Sequence, residues 1–277
     1  MINIKQIGNG SAFNHKMTNS SFLIKDSNKA FMMLFDCGES VFAELRRQDD
    51  NKEINLDELT DVFISHMDSD HIGSIKTLIY YMYFARNKVL RIRFAKSIED
   101  QVSSYLSDIN SYKEFGEFVP AQLFIKIPFE GESSVSIINF LSVINTPSSY
   151  VMIAPIKAYH GKSCFGLSIS TNESIVIITG DTTVSYNSHN IFKDNNNMKK
   201  PKKFICFHDF SPNFDQPEKQ VHACKTSMEK DYYTPEFLDR VIPYHDDRTD
   251  FHSTWFSEVD IDLIVEQNNY NLKYRKE

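Results

Sequence analysis

The chain has 277 residues, 41% hydrophobic and 24% charged, with a formal net charge of −7 at pH 7. That length buries a sizeable core as one domain, 1–277, and the composition is that of an ordinary globular protein. The acidic balance excludes broad tracking along a nucleic-acid backbone, so long nucleic acid is not an expected partner, although a local patch can still take a phosphate.

The opening MINIKQIGNG has no basic region leading into an apolar run, and no uninterrupted apolar segment reaches membrane-spanning length. A cytoplasmic protein with no membrane partner is therefore expected. Residues 2–7, 20–24 and 30–35 read as antiparallel strands joined by turns, the first turn being Gly8-Asn9-Gly10-Ser11. A short helix is predicted over 41–47, and 56–59 leads into the apolar strand Val62-Phe63-Ile64, which stops at Ser65-His66. Residues 74–85 read as a buried helix. Further strands are predicted at 90–94, 123–127, 135–143, 150–156, 165–170 and 175–179, the last two flanking a hairpin-like Thr171-Asn172-Glu173-Ser174. The asparagine-rich 187–197 reads as a mobile loop and the lysine run at 199–203 as solvated surface, before strands at 204–207 and 241–244. There is no internal repeat. Cys37, Cys164, Cys206 and Cys224 show no CxxC spacing, which argues against a zinc knuckle and leaves disulfides optional. Strands interrupted by helices without regular βαβ spacing point to packed mixed sheets with outer helices.

The densest signal is Ser65-His66-Met67-Asp68-Ser69-Asp70-His71, where four potential ligands fall within six positions just beyond an apolar strand. Imidazole and carboxylate together suit zinc, manganese or iron, and a loop can fold such groups around one centre. The bland alternative is a polar turn capping the next helix through Asp70, but a cap needs neither two histidines nor two aspartates. Other histidines and acids recur at strand ends: His160 in Tyr159-His160-Gly161, Asp181 in Thr179-Gly180-Asp181-Thr182, His208-Asp209, and His245. Each alone would more often be a surface or core residue; their recurrence at strand ends gives them weight.

In this order the motifs resemble the metallo-β-lactamase superfamily, and within it the ribonuclease Z-like branch, along nearly the full length. The signature His-x-His-x-Asp-His meets His66-Met67-Asp68-Ser69-Asp70-His71, and Phe35-Asp36-Cys37-Gly38 resembles the branch's first motif. The resemblance implies an α+β fold, the four-layer αββα sandwich, and two divalent metal ions, zinc or manganese with iron also open. His66, Asp68 and His160 would hold one ion; Asp70, His71 and His245 the other; Asp181 would bridge them, with an activated hydroxide between. Asp70 is also counted with the catalytic group. His208 would donate a proton to the leaving oxygen or contact phosphate, oriented by Asp209, and Arg248 would make a forked phosphate contact or a plain surface ion pair. Asp68 departs from the signature, which has histidine there; a harder, less cationic centre is expected to favour manganese or iron.

Ribonuclease Z carries a long RNA-gripping arm, in its main bacterial form between the middle histidine and the bridging aspartate. Only a short hairpin fills that interval here. The chain is therefore more similar to small phosphodiesterases of the superfamily, such as the phage-associated anti-Pycsar enzymes that cleave cyclic-nucleotide immune messengers. The resemblance implies hydrolysis of a small cyclic nucleotide in evasion of anti-phage defence, in the host cytoplasm if phage-encoded, with a homodimer expected. Tyr186 and the aromatic stretch 80–84 are open either to base stacking or to core packing. A ribonuclease Z-like RNA endonuclease, a carbonyl-bond hydrolase and a catalytically inactive nucleotide-binding protein stay open as alternatives.

Overall fold

The computed structural model describes residues 2–26, 31–110, 122–129, 152–211, 222–224, 233–245 and 259–260. Seven strands form the first sheet: β1 (Ile2–Gly8), β2 (Ser21–Asp26), β3 (Met32–Phe35), β4 (Asp61–Ile64), β5 (Leu90–Ala95), β6 (Phe124–Phe129) and β12 (Val259–Asp260), in the order β12-β1-β2-β3-β4-β5-β6. The second sheet has β7 (Met152–Lys157), β8 (Phe165–Ser170), β9 (Ser174–Ile178), β10 (Lys203–Asp209) and β11 (Val241–Tyr244), ordered β11-β10-β9-β8-β7. Helices are α1 (Val41–Asp50), α2 (Ser69–Ile72), α3 (Ile75–Arg86), α4 (Glu99–Tyr105), α5 (Ser107–Asn110), α6 (Tyr186–Asn196) and α7 (Pro235–Leu238).

Side-chain alternation explains the layers. On β9, Val176 and Ile178 enter the main core, whereas Ile175 and Ile177 enter a second core; on β10 the same division separates Ile205 and Phe207 from Phe204 and Cys206. A period of two sends neighbours to opposite faces, so strands apolar at every position must be covered on both sides. The main core lies between the sheets, where Phe22 of β2 meets Phe207 at 5.0 Å and Tyr244 at 5.3 Å between ring centroids, and Phe129 of β6 meets Phe165 at 5.4 Å. Helices α1 and α3 add Val41, Leu45, Ile75, Leu78 and Met82 to that core, and α6 and α7 cover the far face of the second sheet through Phe192 and Phe237. This is the αββα sandwich. The four cysteines are buried thiols, not joined in disulfides. Among the described residues no helix is long and apolar enough to cross a membrane.

Strand direction gathers the site. β3, β4, β5 and β6 run parallel, as do β9, β10 and β11, while β7 and β9 share a direction through the antiparallel β8. The carboxyl ends of β3, β4, β7, β9, β10 and β11 lead directly into the segments holding Asp36, His66, His160, Asp181, Asp209 and His245. A hydrogen bond from Phe165 N to Ser65 O, 3.1 Å, ties the two sheets together at this edge.

Two expectations change. Residues 187–197 form α6 rather than a mobile loop, because Ser188, His189, Phe192 and Asn195 make one buried stripe at helical spacing. Its asparagines are helix surface, apart from Asn195, whose amide exchanges hydrogen bonds of 2.8 and 2.9 Å with the backbone of Lys202. Within the lysine run, Lys199 and Lys200 are exposed as expected, but Lys202 Nζ donates to Ser170 Oγ and to the Thr171 carbonyl. The predicted strand 135–143 lies outside the described residues.

Candidate metal centre

Asp36 sets the first side of the site. It leaves β3 with φ 61°, a left-handed turn that aspartate tolerates better than most residues, and its carboxylate is fully enclosed. That carboxylate accepts from Ser65 N (2.7 Å), Ser65 Oγ (2.6 Å) and His71 Nδ1 (2.7 Å). Ser65 Oγ also lies 3.0 Å from His66 Nδ1. With both Nδ1 atoms engaged, the Nε2 atoms of His66 and His71 are the ones left facing the cluster. Among the described residues, both are buried without a hydrogen-bond partner. Buried polar atoms are normally satisfied, and ligating histidines usually have their second nitrogen held in this way.

The next loop needs Gly38. A Cβ there would stand 1.9 Å from the carbonyl oxygen of Asp70, and the closure is sealed by Cys37 N donating to His71 O at 2.7 Å. Asp68 occupies the residue before α2, but its side chain makes no capping bond. Asp70 and His71 sit buried within α2. The bland capping reading therefore fails for this loop. Gly180 makes the corresponding turn after β9, at φ 66°, and delivers Asp181.

Asp181 Oδ2 is the meeting point. It lies 3.2 Å from His71 Nε2, 3.6 Å from His66 Nε2, 3.8 Å from His245 Nε2 and 3.7 Å from His222 Nδ1. On one side Asp68 Oδ2 is 3.5 Å from His66 Nε2 and 3.9 Å from His160 Nε2. On the other, Asp70 Oδ2 is 3.1 Å from His245 Nε2 and 3.3 Å from His71 Nε2. Four groupings (His66, Asp68 and His160; His66, His71 and Asp181; Asp70, His71 and His245; Asp181, Asp209, His222 and His245) each offer ligand atoms within 4.8 Å of one another. The partnerless Nε2 atoms together with this nitrogen-and-oxygen donor set fit divalent metal ions.

Electrostatics without metal show what the cluster needs. Burial would raise Asp181, yet the imidazoles of His245, His71 and His66 hold it well below the usual carboxylate range. Burial likewise opposes ionisation of Asp70, and His245 and His71 outweigh it. For Asp68 the leading influence is the neighbouring His66 imidazole, which holds the carboxyl low. The imidazoles answer in kind. Burial disfavours a charge on His245, but Asp181, Asp209 and Asp70 raise it to about 10; His71 is raised similarly by Asp181 and Asp36. Protons thus stand in for cations.

All seven residues expected as ligands, His66, Asp68, Asp70, His71, His160, Asp181 and His245, are brought into one cluster, with Asp209 beside it. His208 is not. It is fully buried behind Asp209, its Nδ1 2.7 Å from the Asp209 carbonyl and its Nε2 2.7 Å from the Tyr233 hydroxyl, and burial pushes its pKa down. Both ring nitrogens are occupied, so the expected contact of His208 with substrate is not available in this arrangement. The imidazole that faces the cluster is His222, unmarked in the sequence: Nδ1 is 2.9 Å from Asp209 Oδ2, and the ring lies 4.8 Å from His245 and 5.5 Å from His160. Asp209 also accepts from Thr182 N at 2.7 Å. Burial works against a charged His222, but Asp209 and Asp181 raise it. The only signal for it was a histidine between His208 and His245, in a Val-His-Ala-Cys context that resembles no ligand motif. Arg248 lies outside the described residues. In the aromatic stretch, Tyr80, Tyr81 and Tyr83 pack against the main core, whereas Tyr186 is 40% exposed and meets Tyr159 edge-on at 5.4 Å.

Fold and ligand cluster together define a protein of the metallo-β-lactamase fold with a candidate two-metal centre at one sandwich edge. Among solved structures it is similar to the metallo-β-lactamase fold protein YhfI from Bacillus subtilis (TM-score 0.63, 17% identity, covering 91% of this chain and 88% of that one) and to human tRNase Z, short form (TM-score 0.63, 15% identity, 94% and 99%). A diphosphatase from the PhnP family also matches, with TM-score 0.56 and 11% identity over 89% of this chain and 86% of that one. Residues 2–262 match the family Anti-Pycsar protein Apyc1, and the chain belongs to that family. It is 36% identical over 81 residues to the Anti-Pycsar protein Apyc1 of Bacillus phage BSP38, and 29% identical over 87 residues to that of Paenibacillus harenae. These matched stretches cover 29% and 31% of this chain, and 30% and 34% of the two relatives.

Proposed function

We propose that this chain is a metal-dependent phosphodiesterase that hydrolyses a small cyclic nucleotide. The observation that carries the reading is Asp181 Oδ2, set between the His66–Asp68–His160 and Asp70–His71–His245 groups with the Asp209–His222 pair beside it. Divalent ions, when bound there, supply Lewis acidity toward a phosphoryl oxygen and lower the pKa of water. His66, Asp68, His160, Asp70, His71 and His245 would hold them, with Asp181 shared. Asp36 and Ser65 fix the ring orientations of His71 and His66, so the ligands are set before any ion arrives.

His222 takes the proton-donor role expected of His208. In hydrolysis a water oxygen bonds to phosphorus, the ring P–O bond breaks, and the departing oxygen needs a proton. His222, whose charged form burial opposes but Asp209 and Asp181 favour, would give it. The short β8–β9 hairpin between His160 and Asp181 leaves no RNA-gripping arm there, which favours a compact substrate over transfer RNA. The family's anti-Pycsar name supports the same class. We further propose that the protein works as a homodimer in the cytoplasm of an infected cell; sedimentation as a single 32.1 kDa chain would overturn the dimer.

The test is a panel of cyclic mono- and dinucleotides, a β-lactam, a thioester and precursor transfer RNA, each with zinc, manganese and iron and read by product identity. Linear nucleotide products are expected, with manganese or iron supporting turnover at least as well as zinc because of Asp68. Zinc-only turnover removes the metal preference. Cleavage confined to the carbonyl substrates or to RNA, or tight nucleotide binding without conversion, removes the phosphodiesterase reading.

A further inference from the structure

The two oxygens of Asp68 have different partners. Oδ2 faces His66 and His160 in the candidate metal position, while Oδ1 is ion-paired to Lys162 Nζ, two residues beyond His160. The Lys162 side chain is 62% exposed and that of Asp68 31%, so the pair sits where the cluster opens to solvent. An exposed ion pair of this kind contributes little to stability, which leaves the fold with little need of it.

Its charge is more informative than its strength. The carboxylates of Asp68, Asp70 and Asp181 offset all but one of the positive charges of two divalent ions. An imidazole at position 68 would leave two. The ammonium of Lys162 returns the missing charge at the mouth, on a flexible four-carbon stem carrying three donors that can turn from one anion to another. A divalent ion drawing on Asp68 would weaken that carboxylate's hold on Lys162. An anion seated beside the metals would then compete for the ammonium.

We propose that Lys162 is a phosphate-binding residue of this site, kept at its mouth by Asp68. This rests on the metal-centre reading of the cluster but not on a cyclic nucleotide being the substrate. Asp68 and Lys162 thereby form one unit, the lysine offsetting the carboxylate that replaces an imidazole.

The experiment titrates inorganic phosphate into the full, metal-loaded chain by calorimetry, for the wild type, Lys162→Ala and Lys162→Arg, with metal content per chain measured on the same samples. Lys162→Ala is expected to weaken phosphate binding by about tenfold, the loss of one charge-assisted hydrogen bond, while metal content stays at the wild-type level. Lys162→Arg is expected to keep most of the affinity. Because the side chain is largely exposed, the alanine variant should melt with the wild type. Phosphate affinity within about twofold of wild type in Lys162→Ala overturns the proposal. So does loss of metal from that variant, which would make Lys162 an orienting partner of Asp68, and so does a metal-loaded wild type that binds no phosphate. If phosphate binding responds as stated but no cyclic nucleotide is cleaved, the assignment of Lys162 stands and the substrate reading fails.

Discussion

At the scale of residues, His208 and His222 show how differently two histidines on one stretch of chain can be used. His208 continues β10 inward, with each ring nitrogen closed by a neighbour, whereas His222 comes from a segment between β10 and β11 and reaches the carboxylate of Asp209. Removing a general acid typically costs 10²–10⁴-fold, so His222→Ala should lower kcat by roughly that factor with metal content unchanged. A leaving group that needs no protonation, such as an activated aryl phosphodiester, should recover much of the loss. If His222→Ala cleaves the cyclic substrate at the wild-type rate, His222 has no acid role. The sequence could rank the seven candidate ligands because each falls at or shortly beyond a strand end, inside a recognisable motif. It could not rank these two, since burial of a side chain behind a strand end depends on which way the last pleat points. Asp36 was visible only as part of a motif; its task of holding His71 by Nδ1 follows from a left-handed turn that spacing does not reveal.

At the scale of elements, the strands were legible because their apolar runs are bounded by small or polar turns, and β9 and β10 are apolar on both faces as covered strands must be. α6 was not, because asparagine density outweighed a weak buried stripe of Ser188, His189, Phe192 and Asn195. Tertiary cover of that stripe by Phe204 and Phe237 decides the matter. The junction of β3 with α2 leaves no room for a larger residue at Gly38. The Asp70 carbonyl occupies the space where a side chain on Gly38 would begin, so Gly38→Ala must push α2 away from the cluster. Overpacking of this kind costs about 1–3 kcal/mol, a fall of roughly 2–12 °C in melting temperature for a domain of this size. Because α2 carries Asp70 and His71, metal content should fall along with it, most clearly for the ion that those two residues and His245 would hold. A Gly38→Ala protein with wild-type melting and full metal content would show that the loop has slack.

At the scale of the whole molecule, two sheets bound by a common aromatic core converge on an edge crowded with charge, where protons and metals would compete. His71, His222 and His245 are raised by the surrounding carboxylates, His245 from 6.5 to about 10, so near neutral pH the metal-free protein favours protons on His245 and His71 where cations would sit. Metal uptake must displace them. The sign is fixed by linkage. Groups raised in the folded state stabilise it fully below their ordinary pKa, and that contribution is lost as pH climbs through the raised value. The metal-free fold therefore weakens as pH rises from about 6.5 toward 10, when Asp70, Asp181 and Asp209 lose their protonated partners. Metal replaces that compensation, so the difference in melting temperature between loaded and chelated protein should widen with pH across this window. With free metal near 100 times its dissociation constant the gain is about 2.7 kcal/mol, or roughly 5–10 °C. Calorimetric titration of metal at neutral pH should also show heats that change with the ionisation enthalpy of the buffer, reporting proton release. A melting difference that stays flat with pH, together with buffer-independent heats, would mean that the cluster binds no metal in exchange for its protons.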